Sequence, residues 1–208
     1  MTGQEIILQF ELYVDDTTEL STAEELILLN KVYHKMASDR NWEIFKKEAS
    51  GTLTSTTTIT LPTDFSNMVE NFNYTDNAIS REINAKPIVV FIGDTPYQVV
   101  NWSDRKQYDN KNHVCYVDIR NSQVVFPVAQ SASATYSFDY LAVPEDLTLA
   151  TSPLFPSRFH YGIFHGMCVE DMAIQLFDKA RSYAPENQAS YNGYIRDMAM
   201  WNAQLQLY

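Results

Sequence analysis

Four histidines, two cysteines and several adjacent acid pairs are the side chains of this 208-residue chain whose types could do chemistry. His160 and His165 stand five apart, which on a helix separates them by about 140° and prevents joint coordination of one metal. Neither belongs to a His-Glu-x-x-His pattern. His160 is expected to order a helix start, while His34 and His113 are expected as solvated polar positions. Cys168 and His165 share a helical face, as a thiolate–imidazole pair would need. Cys168, however, lies among Phe164 and Met172, where burial raises a thiol pKa and makes a nucleophile less available. Cys115, in a strand pattern, and Cys168 have no paired spacing, so both are expected as buried free thiols of a reducing compartment. The acids at Asp15-Asp16, Glu24-Glu25, Glu145-Asp146 and Glu170-Asp171 are sequence neighbours, and such neighbours on a helix point to different faces. They suit solvation or helix capping better than paired acid/base work. The chain has no glycine-rich phosphate loop and no Gly-x-Ser-x-Gly elbow, and its 6 glycines are too few for an elaborate nucleotide cradle. No catalytic, cofactor-binding or metal-ligating set is expected.

The elements that would position any site are more informative than the candidates themselves. Hydrophobic residues at 45% and aromatics at 13% are enough to build a core. The net charge of -11 repels phosphates and disfavours tight binding of nucleic acid. The chain opens without a basic, apolar leader and has no run of about 18 apolar residues, so a protein made in the cytoplasm and not inserted in a membrane is expected.

Residues Thr2 to Val14 carry both a strand alternation (Ile6, Leu8, Phe10, Leu12, Val14) and helical faces (Ile6, Phe10, Tyr13), and helix is favoured because the next segment is helical. Ser21-Thr22-Ala23-Glu24 is a capping box, and Leu26, Leu29, Tyr33, Met36 and Ala37 follow on one face, widened by Ile27. That helix is expected to end near Asp39-Arg40-Asn41, with Trp42 packing beneath it. Gly51 to Leu61 is dense in β-branched residues and predicts a hairpin, stopped by Pro62. Ser66 to Lys86 is polar and suits a loop facing a partner. Further strands are predicted at Ile88–Ile92, Tyr97–Trp102, Val114–Ile119, Val124–Val128 and Thr135–Leu141, with turns at Gly93-Asp94 and Asn121-Ser122, as in a small antiparallel sheet or barrel.

From Phe138 to Leu147 the last strand runs out into a stretch punctuated by Pro144, Pro153 and Pro156, which delivers the chain into apolar helix. Ile163, Phe164, Met167, Cys168, Met172, Leu176 and Phe177 predict one helix buried on more than one side, ending at Lys179 and Arg181. Pro185 suits the first position of a last helix with the stripe Tyr191, Tyr194, Ile195, Met198, Trp201 and Leu205. Gly162 and Gly166 permit close backbone approach, either a crossing within the chain or a subunit contact. The end, Met200 to Tyr208, is apolar and aromatic and suits docking, either onto its own core or into a neighbour. The predicted architecture is α+β: a helical bundle of residues 1–48 and 150–208 around a central antiparallel β-rich insert, 49–149.

Three ordered stretches carry a resemblance. They are Phe10 to Asp16 with Glu19-Leu20-Ser21 leading to Glu24, Glu25, Leu26 and Tyr33; Arg40-Asn41-Trp42-Glu43 followed by Leu61 to Phe65; and Tyr140 to Thr148 with Pro153, Pro156 and Phe159-His160. In this order they resemble phage head-to-tail connector (adaptor) proteins, which bind below the portal. The resemblance implies a virion structural protein of the neck, not an enzyme. It implies a homo-oligomeric ring of about twelve copies between the portal protein and tail or further neck proteins. It also implies a C-terminal segment reaching the portal, which here is Met198, Trp201, Leu205, Leu207 and Tyr208. The acidic charge suits a channel through which DNA passes without specific binding. Two rival readings stay open: another neck or tail-completion protein, and a ligand-binding or hydrolytic domain using Tyr97, Trp102 and Tyr116 of the β insert as an aromatic platform.

Overall fold

The protein is described by a computed structural model over residues 1–15, 19–69 and 88–205. It divides into two compact units, Met1–Phe45 with Val143–Tyr208, and Lys46–Ala142. The first is helical. Helix α1, Gly3–Val14, opens with a capping box between Thr2 and Glu5, and α2, Thr22–Ser38, with the one between Ser21 and Glu24. The Thr2-x-x-Glu5 spacing is a sequence signal that settles helix over strand for this segment. Burial agrees: Ile6, Ile7, Phe10 and Val14 are inside, and Leu8 and Leu12 are out.

The inward stripe of α2 is turned relative to the expected one. Leu28, Leu29, Val32, Tyr33 and Met36 are buried, whereas Ile27 is 65% exposed. The reason lies in the partner helix α3, His160–Val169. A β-carbon added at Gly166 would meet Val32 and Tyr191, and one at Gly162 would come within 2.9 Å of the Tyr194 Cβ. The two glycines therefore serve a crossing within the chain, which seats α3 on α2 and on α6, Ala184–Leu205. At the end of α2, Trp42 is fully buried and its Nε1 donates to the Met36 carbonyl at 2.8 Å.

The single long helix expected after Pro156 is broken. Glu170, in extended backbone, separates α3 from α4, Asp171–Leu176, and extended Phe177 separates α4 from α5, Asp178–Ser182. The breaks turn Phe177 onto Phe10, edge to face at 5.6 Å, and leave Met172 and Leu176 exposed instead of buried. Pro185 is the second residue of α6 and not the first, still inside the turn where no backbone donor is needed.

Between the two halves of this unit runs a strap, residues 143–156. Asn30 brackets its Leu147, accepting from the backbone N–H at 2.7 Å and donating to the carbonyl at 3.0 Å. The Thr151 and Leu149 carbonyls accept from Gly3 and Gln4 at the start of α1. Gly3 has no room for a side chain, because a β-carbon there would overlap the Thr148 carbonyl. The ring of Phe155 packs edge-on against Tyr33, Trp42 and Phe45.

The second unit is one sheet of eight strands: β1 Lys46–Thr52, β2 Thr58–Thr60, β3 Phe65–Met68, β4 Val89–Ile92, β5 Thr95–Val100, β6 Val114–Asp118, β7 Gln123–Val125 and β8 Thr135–Ala142. Their order is β1-β8-β4-β5-β6-β7-β2, with β3 also on β8. All pairs are antiparallel except β5 with β6, which are parallel because the helical turn Trp102–Tyr108 carries the chain back between them. The Gly51-to-Leu61 hairpin does not form. β1 pairs β8 and β2 pairs β7, at opposite ends of the sheet. A flat path of seven strands spans about 29 Å, yet the link from Thr52 to Thr58 reaches at most about 22 Å. The sheet is therefore curled, and Val90, Cys115, Val124, Phe126 and Phe138 fill its interior. Within the polar Ser66-to-Lys86 stretch, Ser66 to Met68 belong to β3 and not to a loop, while residues 70–87 lie outside the described ones.

Replacing Gly166 by alanine should destabilise the bundle by about 1–3 kcal/mol, since overpacking at the crossing outweighs roughly 1 kcal/mol of gained helix propensity. Urea denaturation followed by far-ultraviolet circular dichroism measures this, and a stabilised variant would contradict the crossing.

Candidate partner-binding surface

The side chains with chemical potential are dispersed and occupied. His160 is buried, its Nε2 donating to the Phe155 carbonyl at 2.7 Å, and burial holds its pKa below the ordinary value. It orders the start of α3, as expected from sequence. His165 Nδ1 lies 3.0 Å from the Asn187 side-chain oxygen, and His34 Nε2 lies 2.7 Å from the Asp146 carboxylate. Cys115 and Cys168 are buried free thiols; burial pushes Cys115 far up and Cys168 to about 12. Burial thus disfavours the thiolate, the form that acts as a nucleophile, at both positions. Among the described residues no group of three or more His, Cys, Asp and Glu side chains is placed to hold a metal ion. Of the aromatic platform, Trp102 and Tyr116 meet edge to face at 5.2 Å, with the Arg105 guanidinium 4.3 Å over the Trp102 ring. Tyr97 is turned into the sheet interior against Phe126 and does not join them.

Two buried carboxylates are treated in opposite ways. Glu170 accepts from Lys35 at 3.0 Å and also pairs with Lys31, one turn apart on α2. Its burial alone would raise its pKa, but the two lysines outweigh that and hold it below the usual range. Glu25, 3% exposed, faces the Glu11 carboxylate instead. Loss of solvent first, then the like charge and the hydrogen bond with Glu11, raise it from 4.5 to about 7.

The residues expected to dock a partner divide by the geometry of α6. Met198 is fully buried in the helical unit. Asn202, one turn on, is also buried, accepting from the Glu43 backbone N–H at 2.7 Å and donating to the Asn41 carbonyl at 3.2 Å. These two fasten the helix to its own bundle, so Met198 presents no surface to a partner in this fold. Trp201 is half-buried and packs on Phe159 at 5.7 Å, Met200 is 61% exposed, and Leu205 is exposed. Leu207 and Tyr208 lie outside the described residues. Arg158, Phe159, Asp197, Met200, Trp201 and Gln204 line an open pocket of about 300 Å³ at this end of the unit. Sequence pattern alone did not assign Arg158 or Phe159 to a partner contact; they reach the pocket because α3 starts beside the last turns of α6. A pocket with an aromatic floor, a flexible methionine at the rim and an arginine has the composition of a protein-contact site.

One comparison decides what kind of protein carries this surface. A family model described as SU10 adaptor protein matches residues 1–207. The chain belongs to the SU10 adaptor protein family. Adaptors of this family are phage proteins, and the match spans both units. No curated protein matches the chain with significance. Among the adaptor's described residues no helix is long and apolar enough to cross a membrane.

Glu25, beside Glu11, makes one contribution to how the stability of this adaptor responds to pH. An acid that stays protonated to about pH 7 when folded, but ionises above 4.5 when unfolded, withdraws stability as pH rises between those values. Glu25→Gln should therefore match the native protein near pH 4 and exceed it by about 1–3 kcal/mol at pH 8. Equal differences at both pH values, in paired urea titrations, would contradict the assignment.

Proposed function

We propose that this protein is a ring-forming head-to-tail adaptor, which binds below the portal of its phage, links capsid to tail and forms part of the DNA channel. The observation that carries this reading is the adaptor-family match along 1–207. Ring formation, about twelve copies, a place in the virion neck after synthesis in the host cytoplasm, and tail or further neck proteins as lower partners belong to the same proposal. So does the absence of turnover: the protein acts by being held between two partners.

Physical features support it. An adaptor passing packaged DNA works best with a wall that does not hold phosphates, and a net charge of -11 suits that. The exposed Met200, Trp201 and Leu205 at the end of α6, with the pocket beside them, suit docking onto the portal. Trp201 and Leu205, with Leu207 and Tyr208 beyond them, are the residues assigned to that contact.

Deletion must spare the helix's own anchors. Removing residues 203–208 leaves Met198 and Asn202 in place, so the variant should keep its thermal transition within about 5 °C. It should no longer co-sediment with portal rings that retain the native protein. Electron microscopy of intact particles should place the native protein between portal and tail. Undiminished portal binding by the truncated chain would remove the docking role, and a position elsewhere in the particle would remove the adaptor assignment.

A further inference from the structure

We propose that the pocket between Arg158 and Trp201 receives a short segment of the portal that presents a large apolar side chain beside a carboxylate; this inference rests on the portal-adaptor reading. At about 300 Å³ the cavity admits one or two side chains and no folded element. Its floor is fixed: Phe159 is buried, and Trp201 leans on it at 5.7 Å. Its rim adapts, since Met200 is largely exposed and unbranched. Apolar contact therefore supplies the attraction.

The carboxylate follows from the charges. Arg158 is exposed, with its guanidinium 4.7 Å over the Phe159 ring, and no described carboxylate lies within ion-pair distance of it. What sets Arg158 apart is its place: it lines an aromatic pocket, whereas the pocket's own acid is already beside another cation. Asp197, the acid lining the same pocket, lies 3.7 Å from Arg196. An acidic occupant thus finds a free fork of donors, whereas a basic one would have to compete with Arg196 for Asp197.

The test is biolayer interferometry of the full-length protein on immobilised portal rings, with circular dichroism melts as the folding control. Arg158→Glu should weaken binding at least about tenfold. Asp197→Asn should bind as well as the native protein or more tightly. Lys111→Glu, an exposed charge reversal on the sheet unit, should stay within about twofold of it, showing that total charge is not the cause. Native-like binding by Arg158→Glu overturns the pocket assignment while leaving the adaptor reading intact. A loss with Asp197→Asn as large as with Arg158→Glu overturns the acidic occupant in favour of a basic one, and equal losses with Lys111→Glu reduce the effect to general electrostatics. Failure of the native protein to bind portal rings removes the adaptor reading and this inference with it.

Discussion

The helical unit has to be closed from two pieces of chain with all of Lys46–Ala142 between them, and everything else in it depends on how that closure is made specific. Joining distant segments costs loop-closure entropy, which unspecific apolar contact repays only with a choice of registers. The strap at 143–156 removes that choice. Asn30 engages both the donor and the acceptor of Leu147, as a neighbouring strand would. The strap's carbonyls satisfy Gly3 and Gln4, two of the backbone donors that the first turn of any helix leaves open. A slip of one residue would strand these polar groups in a partly dry setting, at about 1–3 kcal/mol each. Phe155 then fixes the depth of the strap among Tyr33, Trp42 and Phe45.

Closure of this kind also explains the break in the third helix. Ending α3 at Glu170 puts that carboxylate on Lys31 and Lys35, where its charge is balanced in spite of burial. Where α1 meets α2 no lysine arrives, and the Glu11–Glu25 pair settles the same problem by holding a proton. The two carboxylates differ in their neighbours, and a neighbour across the bundle is a tertiary fact.

The last helix serves two purposes on adjacent faces. Met198 and Asn202, one turn apart, fasten it inward; Met200, Trp201 and Gln204 line the pocket, and Leu205 lies exposed just beyond them. In the other unit, curling of the sheet turns Tyr97 inward and leaves Trp102 and Tyr116 together at the surface. The aromatic platform loses a member for a reason of topology, since Tyr97 is needed inside the curl.

Sequence by itself determined most of what is local. The capping boxes, the strands from Val89 to Ala142, the Gly93-Asp94 turn, the buried thiols and the α+β order of helices around strands all follow from propensity and spacing over a few residues. The ordered motifs running from Phe10 to His160 also carried the adaptor kinship. Tertiary structure alone decided which side of α2 faces inward, since Ile27 and Leu28 are equally apolar and the approach of Gly166 to Val32 chooses between them. It alone separated β1 from β2, because β-branched residues favour strand without naming a partner. It also set Arg158 and Phe159 beside Trp201, across a distance in sequence that no periodicity spans. Local free energies select elements, but the pairing of distant elements depends on which polar groups and which volumes remain to be satisfied once the chain has closed.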